Sequence, residues 1–235
     1  MDIIILLSAL LPPLLLFLYI WKKDPQKEPT SKLIKAVLWG IGICLPVAFL
    51  EHGLHAAIFE GGGPSTLFGS TVMAFFVAAI PEEVFKLFAL WIVLRKNPYF
   101  DEHFDGIVYA VCVGLGFAAI ENVIYLFSTP DWVSTAIMRS LLAVPGHYAF
   151  AVLMGYYYSV YHFVDHSPKT ALCVLLVPIL AHGIYDSLAM SGIVNSYVGA
   201  AAFFILIYFC IKIHKAAKKK VLALIEKDKN KECLS

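Results

Sequence analysis

The sequence predicts an all-α, polytopic membrane helix bundle of about seven transmembrane helices, and three observations carry that prediction. The composition is 60% hydrophobic and only 15% charged, with a mean hydropathy of +0.78. Several apolar runs exceed the ~18–20 residues that a helix needs to cross a ~30 Å hydrocarbon core. Glycine and proline mark the connections between the runs, and no internal repeat is visible. A chain of 235 residues built this way is one membrane domain with no room for a soluble second one. The cysteines show neither metal-ligand nor disulfide spacing; Cys44, Cys112, Cys173 and Cys210 read as small packing residues, and Cys233 falls one position too late for a prenylation signal.

The first run, residues 3–21, lacks the basic leader and small-residue cleavage site of a signal peptide, so it reads as an uncleaved span. A basic connection over 22–35 follows, kept from being helical throughout by Pro25 and Pro29. The second span, 36–59, closes at Gly61-Gly62-Gly63-Pro64, and the third, 67–94, ends at Arg95-Lys96. Span four covers 107–127 and is followed by the turn Thr129-Pro130-Asp131. The stretch 132–163 is too long for one upright helix. Pro145-Gly146 is expected to interrupt it, leaving 133–143 too short to span and 146–164 as span five. Spans over 171–190 and 197–213 complete a transmembrane domain of residues 1–213. The basic tail, 214–235, carries an apolar patch at 221–225 suited to lying on the membrane surface.

Orientation follows from where the basic residues lie. The connections 22–35, 95–106 and 164–170, with the tail from Lys212, hold 16 of the 18 Lys and Arg residues. The positive-inside rule puts these in the cytoplasm, which leaves the N-terminus outside and the C-terminus inside. Of the other two, Lys86 is intramembrane and Arg139 falls on the opposite side. The basic residues track membrane boundaries, so a lipid bilayer and no nucleic acid is the expected partner.

The chemistry concentrates in residues that a membrane span does not otherwise tolerate. Span three contains Pro81-Glu82-Glu83-Val84-Phe85-Lys86. A central membrane charge is disfavoured by ~2.5–3.5 kcal/mol on insertion scales, so such groups face a protected interior or an aqueous cavity. On a helix, Glu82 and Glu83 both reach Lys86, at i+4 and i+3. A self-neutralising knot is the plain account, but a second adjacent glutamate exceeds what charge pairing requires. Span four adds Glu121 and Asn122, with Gly114 and Gly116 allowing close helix approach. Asn122 is suited to a hydrogen bond across helices. Span five opens with Pro145-Gly146-His147, and span six places His182 and Asp186 one turn apart. That spacing lets both reach one metal, or lets the carboxylate orient the imidazole.

Any one of these is explicable as helix packing, yet four spans present them at similar depth. Two histidines and a carboxylate are the ligand types of a catalytic zinc site, with a further glutamate as general base for peptide hydrolysis. Lys86 would pair with the second glutamate or stabilise the oxyanion. Another polar cluster, Glu51, His52 and His55 late in span two, has a spacing that also suits a metal, but its position near the outer surface favours contact with solvent.

Four motifs in order over roughly residues 80–190 resemble the PrsW family of bacterial intramembrane proteases. They are EEVFK in span three, FAAIE after DGIVYAVCVGLG in span four, PGH in span five and HGIYD in span six. Ala110 stands where that family's pattern has glycine, which touches packing rather than chemistry. The resemblance implies a multi-pass protease of the bacterial cell membrane, in a superfamily with the CAAX prenyl endopeptidases. It makes Glu82 and Glu83 the essential acidic pair and His182 an essential histidine. Glu121, His147 and Asp186 fill the other polar positions; with His182 they are the residues from which a Zn²⁺ or similar divalent ion would draw its ligands, and Lys86 and Asn122 support them. It implies a single-pass substrate of the anti-sigma-factor type, clipped on its extracytoplasmic side in an envelope-stress response. A glutamate mechanism without metal stays open. A proton- or cation-coupled transporter would use the same buried residue types, and a non-catalytic sensor or binding protein would retain the same fold.

Overall fold

The computed structural model describes residues 2–60, 62–193 and 195–232, so Gly61 and Cys233 lie outside the described residues. All regular structure among them is helical. Six helices are long and apolar enough to cross a membrane by length and composition: Asp2–Lys23, Thr30–Phe59, Asp105–Ser128, Trp132–Phe163, Pro168–Met190 and Ser196–Asn230. The run over residues 67–94 is helical too, but is divided and carries the Glu82, Glu83 and Lys86 charges.

In chain order, α1 (Asp2–Lys23) and α2 (Thr30–Phe59) are joined by a short connection. At the end of α2, Glu60 adopts a left-handed conformation with φ of 51°, which stops the helix before the glycine-rich turn. A six-residue α3 (Leu67–Val72), capped by the Thr66 hydroxyl, passes through a π-turn at Met73–Ala79 into α4 (Ile80–Leu94). Next come α5 (Asp105–Ser128) and α6 (Trp132–Met138). A second π-turn, Arg139–Ala143, leads into α7 (Val144–Phe163). The chain ends with α8 (Pro168–Met190) and α9 (Ser196–Glu232).

Both π-turns have one physical cause. Pro81 and Pro145 have no N–H to continue the i→i−4 ladder. In each case the residue before the proline donates one position further back, Ile80 to the Phe75 carbonyl and Val144 to the Arg139 carbonyl. The helix widens by one residue and continues. Sequence reasoning expected Pro145-Gly146 to break the stretch; instead 132–163 runs on as one helical path. The residues carried just past each π-turn are Glu82 and Glu83 in one case and His147 in the other.

The centre of the bundle is α5, whose residues 105–118 are all buried and which packs against α1, α2, α4 and α7. Its glycines let the backbones approach: a Cβ at Gly116 would collide with the Val37 carbonyl of α2, and one at Gly114 would lie 2.8 Å from the Ala151 Cβ of α7. Bundles in lipid rely on such small-residue contacts because apolar side chains gain little from leaving the lipid tails.

The polar tail does not separate from the bundle. The helix α9 continues through it, and Val221 and Leu224 are buried in the main core rather than on a membrane surface. Lys220 lies over the rings of Tyr156 and Tyr157 of α7. Near its end, Asp228 accepts hydrogen bonds from the backbone N–H groups of His103 (2.9 Å) and Phe104 (2.8 Å), and contacts His103 Nδ1 at 2.5 Å. Those donors sit at the entrance to α5, so a residue of α9 serves as a distant cap.

Candidate active site

The polar residues of α2, α4, α5, α7 and α8 converge on one cavity of about 560 Å³. Its lining includes Glu51, Glu82, Glu121, Arg139, His147 and His182. The two adjacent glutamates do different things. Glu82 reaches the cavity, whereas Glu83 is fully buried and does not line it. Both carboxylates meet the Lys86 ammonium at 2.8 Å, which also lies over the Phe117 ring at 4.4 Å. The knot read from the sequence therefore exists, and it is attached to more than itself.

Each histidine is gripped at both ring nitrogens. His182 Nδ1 is 2.9 Å from Glu83 Oε1, and its Nε2 is 3.3 Å from Asp186 Oδ2. His147 Nε2 is 2.8 Å from Glu121 Oε2, and its Nδ1 is 3.3 Å from Lys86 Nζ, from which it accepts. The Nδ1 atoms thus turn toward the Glu82–Glu83–Lys86 knot, while Glu121 and Asp186 hold the outer nitrogens. Carboxylates in that position fix the tautomer and the ring plane of a working histidine. The rings meet edge to face, centroids 5.4 Å apart, and Phe150 stacks on His182 at 4.8 Å.

One donor atom from each of Glu82, His147 and His182 lies within 4.8 Å of the others. Two imidazoles and a carboxylate suit a zinc-type ion in kind. The Lys86 ammonium already stands against Glu82 and His147, so an ion bound there would take over part of its role. Glu121 and Asp186, expected from the sequence as ligands, stand behind the histidines. Asn122 donates to the Ala9 carbonyl of α1 at 3.1 Å, the helix-to-helix bond its type suggests.

Two participants were missed in the sequence. Arg139 was read as a lone charge outside the membrane; its Nη2 lies 2.8 Å from Glu121 Oε2 in a charge contact too bent to be a good hydrogen bond. Its Nε donates to Asn122 Oδ1 at 2.5 Å, and its guanidinium covers the Tyr125 ring at 4.1 Å. The rule that an ionisable group inside an apolar run marks a site would have found it. Glu51 and His55 are half-buried and line the cavity with the exposed His52, and Glu51 has one buried oxygen without a hydrogen-bond partner.

A family profile described as PrsW family intramembrane metalloprotease matches residues 28–212. The chain is 34% identical over 183 residues to Protease PrsW of Oceanobacillus iheyensis, covering 77% of this chain and 81% of that protein. It is 35% identical over 197 residues to Protease PrsW of Clostridioides difficile, covering 81% of each. Protease PrsW of Bacillus subtilis is 32% identical over 185 residues, covering 77% of this chain and 81% of that one. No solved structure matches the chain at a significant level. The chain belongs to the PrsW family of intramembrane metalloproteases.

Proposed function

We propose that this protein hydrolyses a peptide bond of a single-pass membrane protein of the anti-sigma-factor type, as the first cut in regulated proteolysis at a bacterial cell membrane. The observation that supports this reading best is the division of labour in the glutamate pair. Glu82 faces a cavity beside two histidines whose outer nitrogens are already held, and Glu83 lies behind it, holding His182 and Lys86. A charge knot needs only one such carboxylate.

Glu82, His147 and His182 would hold a Zn²⁺ or similar divalent ion, which when bound supplies Lewis-acid polarisation of the scissile carbonyl. With one oxygen on the ion, the other oxygen of Glu82 would take a proton from the attacking water and return it to the leaving amine. Asp186 and Glu121 hold the imidazoles by their Nε2 atoms, which leaves the Nδ1 atoms to the ion; Glu83, which contacts His182 Nδ1 in this structure, would then be left to Lys86. The cavity walls are largely apolar, so these charges act in a medium that screens them little.

The test is cleavage of a purified single-pass substrate by purified protein, with and without chelator. We expect cleavage that falls with chelation, about one equivalent of bound metal per chain, and loss of that metal in the His147→Ala/His182→Ala double variant. Full activity of metal-free protein would replace the metal reading by a glutamate–histidine mechanism. No cleavage under any condition, together with ion transport by reconstituted protein, would move the family's fold here to a transporter.

Seven spans with the N-terminus outside and the C-terminus in the cytoplasm accompany this reading, since the basic residues collect at one end of the bundle. A reporter inserted among Gly61 to Gly63 is expected outside, and one fused after Ser235 in the cytoplasm. Both on one side would break the seven-span arrangement.

A further inference from the structure

At the basic end of the bundle, about 24 Å along α5 from Glu121 by helical rise, lies a second group of acids. Asp24 in the α1–α2 connection, Glu102 before α5 and Asp105 in its first turn each offer one carboxylate oxygen, and these lie within 4.8 Å of one another. Asp24 is 2% exposed and Asp105 0%. Neither oxygen of Asp24 completes a hydrogen bond, although the N–H groups of Gln26 and Glu28 face it. Asp105 uses Oδ2 to accept from the N–H groups of Asp101 (3.1 Å) and Glu102 (2.7 Å), and its Oδ1 has no partner.

The Lys27 ammonium, which acts on Asp24 from a distance, donates to the backbone carbonyls of Trp21 and Asp24. Asp228, the next acid along, is taken by His103 and Phe104. Glu28 accepts from the Tyr109 hydroxyl and also faces the Asp105 carboxyl. Buried carboxylates are ordinarily paired or bound to metal, because an isolated one is strongly disfavoured.

We propose that Asp24, Glu102 and Asp105 form a structural site for a hard divalent cation of the Ca²⁺/Mg²⁺ class, tying the α1–α2 and α4–α5 connections to the start of α5. The all-oxygen donor set selects that class over zinc. The site is separate from the cavity: it shares no residue with it, and a different ion class would fill it. Its consequence is mechanical, since α5 carries Glu121 further along.

The test uses Tb³⁺, a luminescent stand-in for Ca²⁺ excited through a nearby tyrosine, here Tyr109. Full-length protein carrying Glu82→Gln, to weaken binding in the cavity, is titrated in detergent. Emission should saturate at about one ion per chain and be displaced by Ca²⁺ or Mg²⁺, the more effective competitor naming the ion. Asp24→Asn removes charge without removing a cap, and should weaken binding tenfold or more. Glu102→Gln, at the half-buried edge, should do the same and serves if Asp24→Asn does not fold. In the unsubstituted protein the melting temperature should rise with added Ca²⁺ or Mg²⁺, and in the variants it should not. Absence of a saturable site, or binding and melting unchanged by both substitutions, overturns the proposal and leaves a cluster of neutral carboxylic acids sharing protons.

Discussion

Glu82→Gln is expected to lower cleavage of a membrane-anchored substrate by ~10²–10⁴-fold, the usual worth of a positioned base. The protein should stay folded and inserted, because glutamine keeps the shape and Lys86 keeps Glu83 as its partner at 2.8 Å. Glu83→Gln should also lose activity, by a different route: His182 Nδ1 and Lys86 lose a charged acceptor inside a fully buried site, so stability falls with the rate. The triple change Glu82→Gln, Glu83→Gln and Lys86→Met separates chemistry from structure. Replacing a whole buried ion cluster by neutral groups of like size is often neutral or stabilising. That variant should therefore be folded and inactive. The measurement is accumulation of clipped substrate in cells, with protein level followed in parallel. Normal cleavage in both single variants would remove these residues from the reaction and bring the binding or sensing alternative forward.

The second large effect is expected at Arg139. Arg139→Met leaves Glu121 with only the His147 ring and strips Asn122 Oδ1 of its donor. Removing one partner of a buried ion pair destabilises by ~3–5 kcal/mol, and the retained histidine puts this case near the lower figure. Adding Glu121→Gln removes the stranded charge, so the double variant should recover most of the lost stability. It should not recover activity, since His147 then lacks its charged support. Thermal melts of the three variants in one detergent decide the matter. A double variant no more stable than Arg139→Met alone would show that Glu121 is not held by Arg139.

Much of this site was legible because membrane spans are so restrictive. A glutamate pair, a lone Glu121 and the HxxxD spacing stand out against apolar neighbours, and i,i+4 geometry alone puts Asp186 within reach of His182. What was not legible depended on which helices meet. Glu121 and Asp186 looked like ligands, yet only the packing of α5 on α7 and the turn of α8 put them behind the histidines. A break at Pro145 puts Arg139 in a segment, 133–143, too short to span and on the outer side. The compensating π-turn keeps the helix going and carries Arg139 inward, 17 residues from Asn122 in sequence. No local periodicity records that. The apolar patch of the tail failed likewise: Val221 and Leu224 read equally well as lipid-facing or bundle-facing, and contact with the core decides.

The Asp228 contact bears on the order in which the chain is assembled. Synthesis runs from the N-terminus, and domains consolidate in that order where their contacts allow it. The donors at His103 and Phe104 are made early, while their acceptor follows 125 and 124 residues later. Until then the entrance to α5 carries exposed backbone N–H groups, although the rest of that helix and its partners α1, α2 and α4 have already been translated. The start of the central helix is therefore closed last, by nearly the final turn of α9, and a chain halted before Asp228 has no means of closing it.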